Sequence, residues 1–417
     1  MQNYNNLKFS SFSGSRSNYK YQLLENGFSK SDILKGIEVL KTQKITMGEK
    51  TLAFEKEFAK KMGAKYALMV NSGSSANLLA AFAACNPLRK KRFKPGDEAL
   101  IPALCWPTSL WPLVQTGLKP KFVDIDKDTL NVSAESFIKK ITKKTKVIML
   151  INVLGVSSNI EKIVKFAKRK NIIVIEDNCE ALGAKLNNKF LGTYGNFGTF
   201  SFFYSHQITS GEGGMIICNE KEDYNILLAL RSHGWSRGPN SYKINAKKFP
   251  SLDPRYIFIN MGFNLRPTEI QASIARNQFS RFEKLRFIRS ENRKKIIEKV
   301  INDKRFNNQF SFIKVPKNIK PSFMGLPIII NKKYADIKKK FIYIIEKKGL
   351  ETRPIISGSF VNQPSVNLFK LNPKKEKFLN SESIQKNGFL IGLHTKKIKK
   401  KELNFLVNTL FLIDKIK

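Results

Sequence analysis

Residues 198–219 read GTFSFFYSHQITSGEGGMIICN. An apolar run closes at Ser201-Phe202-Phe203, a polar turn follows at Tyr204-Ser205-His206-Gln207, and glycines crowd the return at Gly211-Glu212-Gly213-Gly214. A second apolar run, Met215 to Cys218, completes the stretch. Short apolar runs bounded by turn residues predict buried strands, here with one imidazole in the turn between them. The chain has three histidines, at 206, 233 and 394. An imidazole shuttles protons near neutral pH, which makes His206 a candidate base.

Working outward, Asn171 to Ile175 predicts an apolar strand ending in Glu176-Asp177-Asn178-Cys179-Glu180. An acidic residue at such a strand end faces the ligand crevice of an open α/β sheet; the plainer reading is a solvated loop carboxylate. Tyr66 to Val70 predicts a strand, Asn71-Ser72-Gly73-Ser74-Ser75-Ala76-Asn77 a small-residue turn, and Leu78 to Ala84 a helix. Small residues let the backbone approach an anion, and free N–H groups at a helix start attract it. Ser74 and Ser75 are therefore candidate phosphate contacts, beside the plainer reading of a capped helix. After a strand at Glu98 to Pro102, Cys105-Trp106-Pro107-Thr108 presents an indole. It is either a stacking surface for a planar ring or an ordinary core tryptophan.

The rest of the chain alternates in the same way. Helices are expected over Ser31–Leu40, capped by Ser31 or Asp32, and over Thr51–Met62, 107–116, 134–141, Asn159–Lys168 and Asp223–Arg231. Strands are expected at Lys121–Val123 and Val147–Ile151. His233 and Arg237, four apart in Ser232-His233-Gly234-Trp235-Ser236-Arg237, are placed to hold a carboxylate or diphosphate, or to serve a structural loop. Residues 238–258 read as a polar, turn-rich surface insertion. A long helical segment over about 268–303, bent inside, links two domains. A smaller α/β unit follows, with strands near 310–315, 325–330 and 389–392. His394 reads as structural.

Several of these phrases, in this order, resemble the DegT/DnrJ/EryC1/StrS sugar aminotransferase family. The resemblance runs from about residue 20 to the end. It implies an α/β, aspartate-aminotransferase-like fold of type I, with a mainly parallel seven-stranded sheet, dependence on pyridoxal phosphate, and homodimers with sites at the interface. It implies an N-terminal arm (1–30), a large cofactor-binding domain (31–285) and a small C-terminal domain (286–417). Carried over residue by residue, Ser74, Ser75 and Ser201 face the cofactor phosphate, Trp106 covers the ring, and Asp177 pairs with the pyridine nitrogen. Asn264 and Arg266, in Met261-Gly262-Phe263-Asn264-Leu265-Arg266, reach the neighbouring subunit's site. Glu351 and Arg353 lie on a substrate-side strand, and His233 and Arg237 lie where an amino-donor glutamate is met.

Two positions depart from the aminotransferases. Where they hold the cofactor covalently through a lysine, five residues after the serine, this chain has His206. Where they have glutamine three residues after the aspartate, it has Glu180. An imidazole cannot condense with the cofactor's aldehyde. Both departures resemble branches that deoxygenate nucleotide sugars: the GDP-4-keto-6-deoxymannose 3-dehydratases first and the iron–sulfur CDP-4-keto-6-deoxyglucose 3-dehydrases second. The implied activity is 3-dehydration of a nucleotide-linked 4-keto-6-deoxyhexose, feeding deoxysugar and lipopolysaccharide O-antigen synthesis. Non-covalently bound pyridoxal or pyridoxamine phosphate, L-glutamate as amino donor and His206 as base would carry it out. A sugar aminotransferase and an inactive nucleotide-sugar-binding relative are the other readings.

Composition agrees with a packed globular chain: 417 residues, 42% hydrophobic. Lys and Arg outnumber Asp and Glu by 74 to 33, a formal charge of +41. The excess is spread along the chain without an aromatic-interleaved basic motif, so no nucleic-acid partner is expected. Cysteines at 85, 105, 179 and 218 lack CxxC spacing, and no metal site is expected. No apolar run reaches the length of a membrane span and the N-terminus has no secretory core, which points to the cytoplasm and no membrane partner.

Overall fold

The computed structural model describes residues 19–24, 27–89, 93–157, 160–236 and 241–416. Seven strands form its central sheet: β1 (Tyr66–Val70), β2 (Glu98–Pro102), β3 (Lys119–Val123), β4 (Thr145–Ile151), β5 (Ile173–Asp177), β6 (Phe197–Ser201) and β7 (Gly214–Cys218). Their spatial order is β1-β7-β6-β5-β4-β2-β3. Only β7 runs against the others, pairing antiparallel with both β1 and β6. The inner strands are apolar along most of their length, as strands covered on both faces are, whereas the edge strand β3 carries Lys119 and Lys121. The C-terminal ends of β1, β2, β5 and β6 therefore share one edge, and Gly214, the first residue of β7, sits between Val70 and Ser201 on it.

Behind this edge lies an aromatic cluster. Phe200 and Phe202 point away from the side to which Ser201 points, as strand alternation requires. They meet Phe54, Phe58, Phe279 and Phe282, all buried. The ring centroids of Phe58 lie 5.1 Å from Phe200 and 4.8 Å from Phe279. Packing of this kind fixes the β6 end as one rigid unit with helix Glu49–Met62.

Helices Glu269–Phe279 and Phe282–Ile301 link the two halves, with the bend at Ser280-Arg281. The second helix is continuous across the expected domain boundary at 285/286: Phe282 belongs to the aromatic cluster, while Arg289 is bonded to Leu393 in the small domain. The small domain has a four-stranded antiparallel sheet. Its strands are β8 (Phe310–Phe312), β9 (Gly325–Ile330), β10 (Thr352–Arg353) and β11 (Gly388–Gly392), in the order β8-β9-β11-β10. The described part of the N-terminal arm joins this sheet domain. Tyr21 bridges to Leu350, stacks on His394 at 4.1 Å and donates its hydroxyl to the Gly392 carbonyl at 3.1 Å. His394 also bonds the Gln22 carbonyl at 2.7 Å, a structural placement as expected.

Some local expectations change. The first helix spans Lys30–Lys41, capped by Ser29: its hydroxyl accepts from Asp32 N, and Asp32 reciprocates on Ser29 N. Asp32 is thus the third residue of a capping box rather than the cap. The insertion at 238–258 contains a helix, Ser241–Lys248, and a 3₁₀ turn, Pro254–Tyr256. No helix among the described residues is long and apolar enough to cross a membrane.

Phe58→Ala removes the ring at the centre of the aromatic cluster and is expected to cost about 3–5 kcal/mol. Urea unfolding at constant slope would show the midpoint falling accordingly.

Candidate functional site

The shared strand edge carries the expected constellation. Asp177, at the end of β5, is 5% exposed. Its Oδ2 accepts from Asn77 Nδ2 and Ser109 Oγ, both at 2.7 Å, and its Oδ1 accepts from Cys179 N at 3.0 Å. Thr199 Oγ1 donates to Asn77 Oδ1 at 2.6 Å, which fixes the direction of that amide. All the partners of Asp177 are donors, and Oδ1 has room for one more. The carboxylate is thus held in place yet able to accept from a ring nitrogen.

Helix Gly73–Ala84 begins at the same edge, three residues after β1. Ser72 caps it: its Oγ accepts from Ser75 N at 3.0 Å, and its carbonyl accepts from Ala76 N. The amides of Gly73 and Ser74 have no hydrogen-bond partner among the described residues. They form an N-terminal anion cradle facing the end of β6. The approach is very close. A Cβ on Gly73 would lie 2.5 Å from Ser201 Cβ and 2.9 Å from its Oγ, and one on Gly214 would lie 2.4 Å from the Ser72 carbonyl oxygen. Glycine is required at both positions to bring the helix start against Ser201. Ser74 is exposed, its hydroxyl bonded to Thr108 Oγ1 at 3.0 Å. Ser75 is buried and its hydroxyl is committed to Asn71 Oδ1 at 2.6 Å. Ser75 therefore shapes the turn, while Ser74 presents its group outward.

Trp106 is 53% exposed at the N-cap of helix Pro107–Gln115, so it is no core tryptophan. Glu180 receives Leu154 N at 3.2 Å, and burial, reinforced by the charge of Asp177, pushes its carboxyl up to about 7. His206 sits in a turn closed by its own N–H on the Phe203 carbonyl. Its ring lies edge-on to Phe203 at 5.7 Å. Burial, aided by the Arg289 charge, pushes the imidazole down to about 4 against a backbone hydrogen bond at Ser201, and its Nδ1 is buried with no hydrogen-bond partner among the described residues.

The remaining candidates are less gathered. His233 is in a left-handed turn (φ 63°), its N–H on the Phe263 carbonyl. Ser232 bridges to Asn264, which is exposed and accepts from Arg266 Nε at 3.0 Å. Asn71 N donates to the Leu265 carbonyl, so this strip lies beside the start of helix Gly73–Ala84. Arg237 falls outside the described residues. Glu351 is occupied structurally, since its Oε1 pairs with Arg353 at 3.0 Å and its Oε2 accepts from Leu23 N at 2.9 Å. Sequence reasoning missed Asn77, Ser109, Thr199 and Arg289. Asn77 lies within the quoted turn, but nothing in its spacing points to Asp177. The four cysteines are free, and among the described residues no group of three or more His, Cys, Asp or Glu is arranged to hold a metal.

A mainly parallel sheet with an anion cradle, a buried carboxylate and an exposed indole at one edge defines a pyridoxal-phosphate-type transferase fold. The DegT/DnrJ/EryC1/StrS aminotransferase family matches residues 29–410, and the chain belongs to that family. It is 38% identical over 358 residues to the GDP-4-keto-6-deoxy-D-mannose 3-dehydratase of Escherichia coli O55:H7, covering 85% of this chain and 90% of that one. It is 36% identical to the Yersinia pseudotuberculosis enzyme of the same name, covering 85% and 89%. A solved GDP-4-keto-6-deoxymannose-3-dehydratase with a trapped PLP-glutamate geminal diamine superposes with a TM-score of 0.81 at 33% identity, covering 94% of this chain and 100% of that one.

The His206 site generates a stability prediction. Its folded titration lies below the ordinary value of 6.5, so the unfolded chain binds the extra proton between about 4 and 6.5. The His206 contribution to stability should rise with pH across that window, against the opposite slope of Glu180, so the change between pH 4.5 and 6.5 in urea titrations should be less favourable in His206→Asn than in the parent chain. Gly73→Ala should weaken pyridoxal phosphate uptake at least tenfold, read by absorbance titration, and should lower stability by about 1–3 kcal/mol in urea unfolding because the added methyl group meets Ser201.

Proposed function

We propose that this protein is a pyridoxal-phosphate-dependent 3-dehydratase acting on a nucleotide-linked 4-keto-6-deoxyhexose, with GDP as the nucleotide and L-glutamate as amino donor. The observation that carries the reading is His206, an imidazole where covalent anchoring of the cofactor needs an amine.

The residues present fit the cofactor. The amides of Gly73 and Ser74 with the hydroxyls of Ser74 and Ser201 would take its phosphate, and the exposed indole of Trp106 would cover its ring. The free acceptor capacity of Asp177 would meet its ring nitrogen. When bound, the cofactor supplies an amine for the C4 ketone and a ring that draws electrons from the carbon losing a proton. The protein's part is orientation and proton handling. His206, neutral at pH 7, takes up the proton at a ring nitrogen and cannot itself compete for the ketone as a lysine amine would. Glu180, titrating near neutrality, holds a proton at Oε1 or Oε2 close to Asp177. The C3 hydroxyl would leave as water with the proton that His206 carries, and hydrolysis would release the deoxygenated ketone together with the amino nitrogen as ammonia.

The same reading assigns His233 and Arg237 to the glutamate carboxylate, and Asn264 and Arg266 to the neighbouring site of a homodimer. Arg353, held by the Glu351 carboxylate, would approach the sugar. Exposed Asn264 and its bonded partner Arg266 support the dimer assignment. The preference for GDP rests on the names of the relatives above.

Incubating the purified protein with pyridoxal phosphate, L-glutamate and GDP-4-keto-6-deoxymannose should yield a nucleotide sugar lacking the C3 oxygen, with 2-oxoglutarate, by mass spectrometry. A 4-amino sugar that keeps the oxygen would mean an aminotransferase. Turnover of the CDP-glucose series alone would move the nucleotide, and no cofactor uptake would mean an inactive relative. His206→Lys should hold the cofactor covalently and lose deoxygenation by about 10²-fold or more.

A further inference from the structure

Arg289 lies on helix Phe282–Ile301, 1% exposed, and its planar head is shared among three main-chain carbonyls. Nε donates to Leu393 at 2.9 Å, one terminal nitrogen to Gln207 at 3.0 Å, and the other to His206 at 3.1 Å. No carboxylate pairs with it among the described residues, and burial alone pulls it down to about 10. Removing an arginine from water without a counter-charge costs several kcal/mol, so the three carbonyls must be worth holding together.

What they hold is the turn that carries the candidate base. Nothing in the large domain bonds the carbonyl of His206 among the described residues. Its other side is secured by the neighbouring Gln207, buried at 4% exposure, whose Nε2 donates to the carbonyls of Glu180 at 2.5 Å and Ser322 at 2.9 Å. Asn292, three residues along the helix from Arg289, donates to the carbonyls of His394 and Lys396 and accepts from Ile398 N. The helix thus grips the small domain's segment 393–398 with one hand and the His206 turn with the other.

We propose that Arg289 is a positioning residue that sets the orientation of the His206 imidazole from the small domain. The fork geometry suits this role, because a planar guanidinium fixes three carbonyls at set angles where an ammonium can serve them only as a point. This rests on His206 being the base, yet the arrangement can be read without turnover. The chain has only three histidines, so a histidine-labelled, cofactor-free protein gives three sets of ring signals by NMR.

The test compares Arg289→Met and Arg289→Lys with the parent chain. In both variants the His206 ring signals should shift and broaden while those of His233 stay in place. Turnover should fall about 10²-fold in the methionine variant, the scale of a misplaced reacting group. It should fall about tenfold in the lysine variant, with KM for the sugar little changed in either. Should the methionine variant not fold, the lysine variant decides the matter by the same signals. Unmoved His206 signals in a folded variant, or a loss of turnover carried by KM with those signals unmoved, would overturn the proposal. A parent chain without dehydratase activity would overturn the functional reading instead and leave the ring signals to judge the positioning.

Discussion

Asp177 ends a central strand where water hardly reaches it, and a carboxylate in such a place costs free energy unless donors surround it. The donors come from two different helices: Asn77 from Gly73–Ala84 and Ser109 from Pro107–Gln115. Satisfying one carboxylate therefore ties together the segments that follow β1 and β2. Those segments carry the anion cradle and the exposed indole. The buried charge is less a source of stability than a means of register, since removing either donor leaves the other arrangement uncompensated. Thr199 extends the same bond chain back into β6, the strand that ends in Ser201.

A second constraint is steric. The reversed strand β7 begins at Gly214, wedged between the ends of β1 and β6, and Gly73 starts the adjoining helix. Neither position has room for a methyl group, so the anion cradle proposed for the cofactor phosphate is built from backbone brought to contact distance. The imidazole follows five residues after Ser201 in a turn that the large domain alone does not complete. The bonding of that turn draws on both halves of the molecule.

The fold was legible because parallel strands buried on both faces read as unbroken apolar runs, and those from Tyr66 and Glu98 begin and end where the residues suggested. Asp177 and His206 stood out as candidates because an acidic residue at a strand end and an imidazole in a turn between buried strands are residue types that can handle protons. Helix edges were less legible: the cap of the first helix turned on a reciprocal bond between Ser29 and Asp32, where the residues suggested Ser31 or Asp32 as the cap. Glu351 looked like a ligand on its strand, but its carboxylate is spent on Arg353 and Leu23, the latter a contact across more than 300 residues that no local pattern encodes. Arg289 was invisible for the same reason, as its partners are main-chain carbonyls from two distant turns.

The seat of the N-terminal arm has a consequence for how the chain is made. Tyr21 donates to Gly392, 371 residues later. During synthesis at about 5–20 residues per second, the first segment of the fold waits roughly 20–75 s for its partner to leave the ribosome. Tyr21 and Leu24, apolar and buried at the end, are exposed throughout that interval. The large domain can close its sheet at Cys218 long before, so docking of the Tyr21 segment follows that closure.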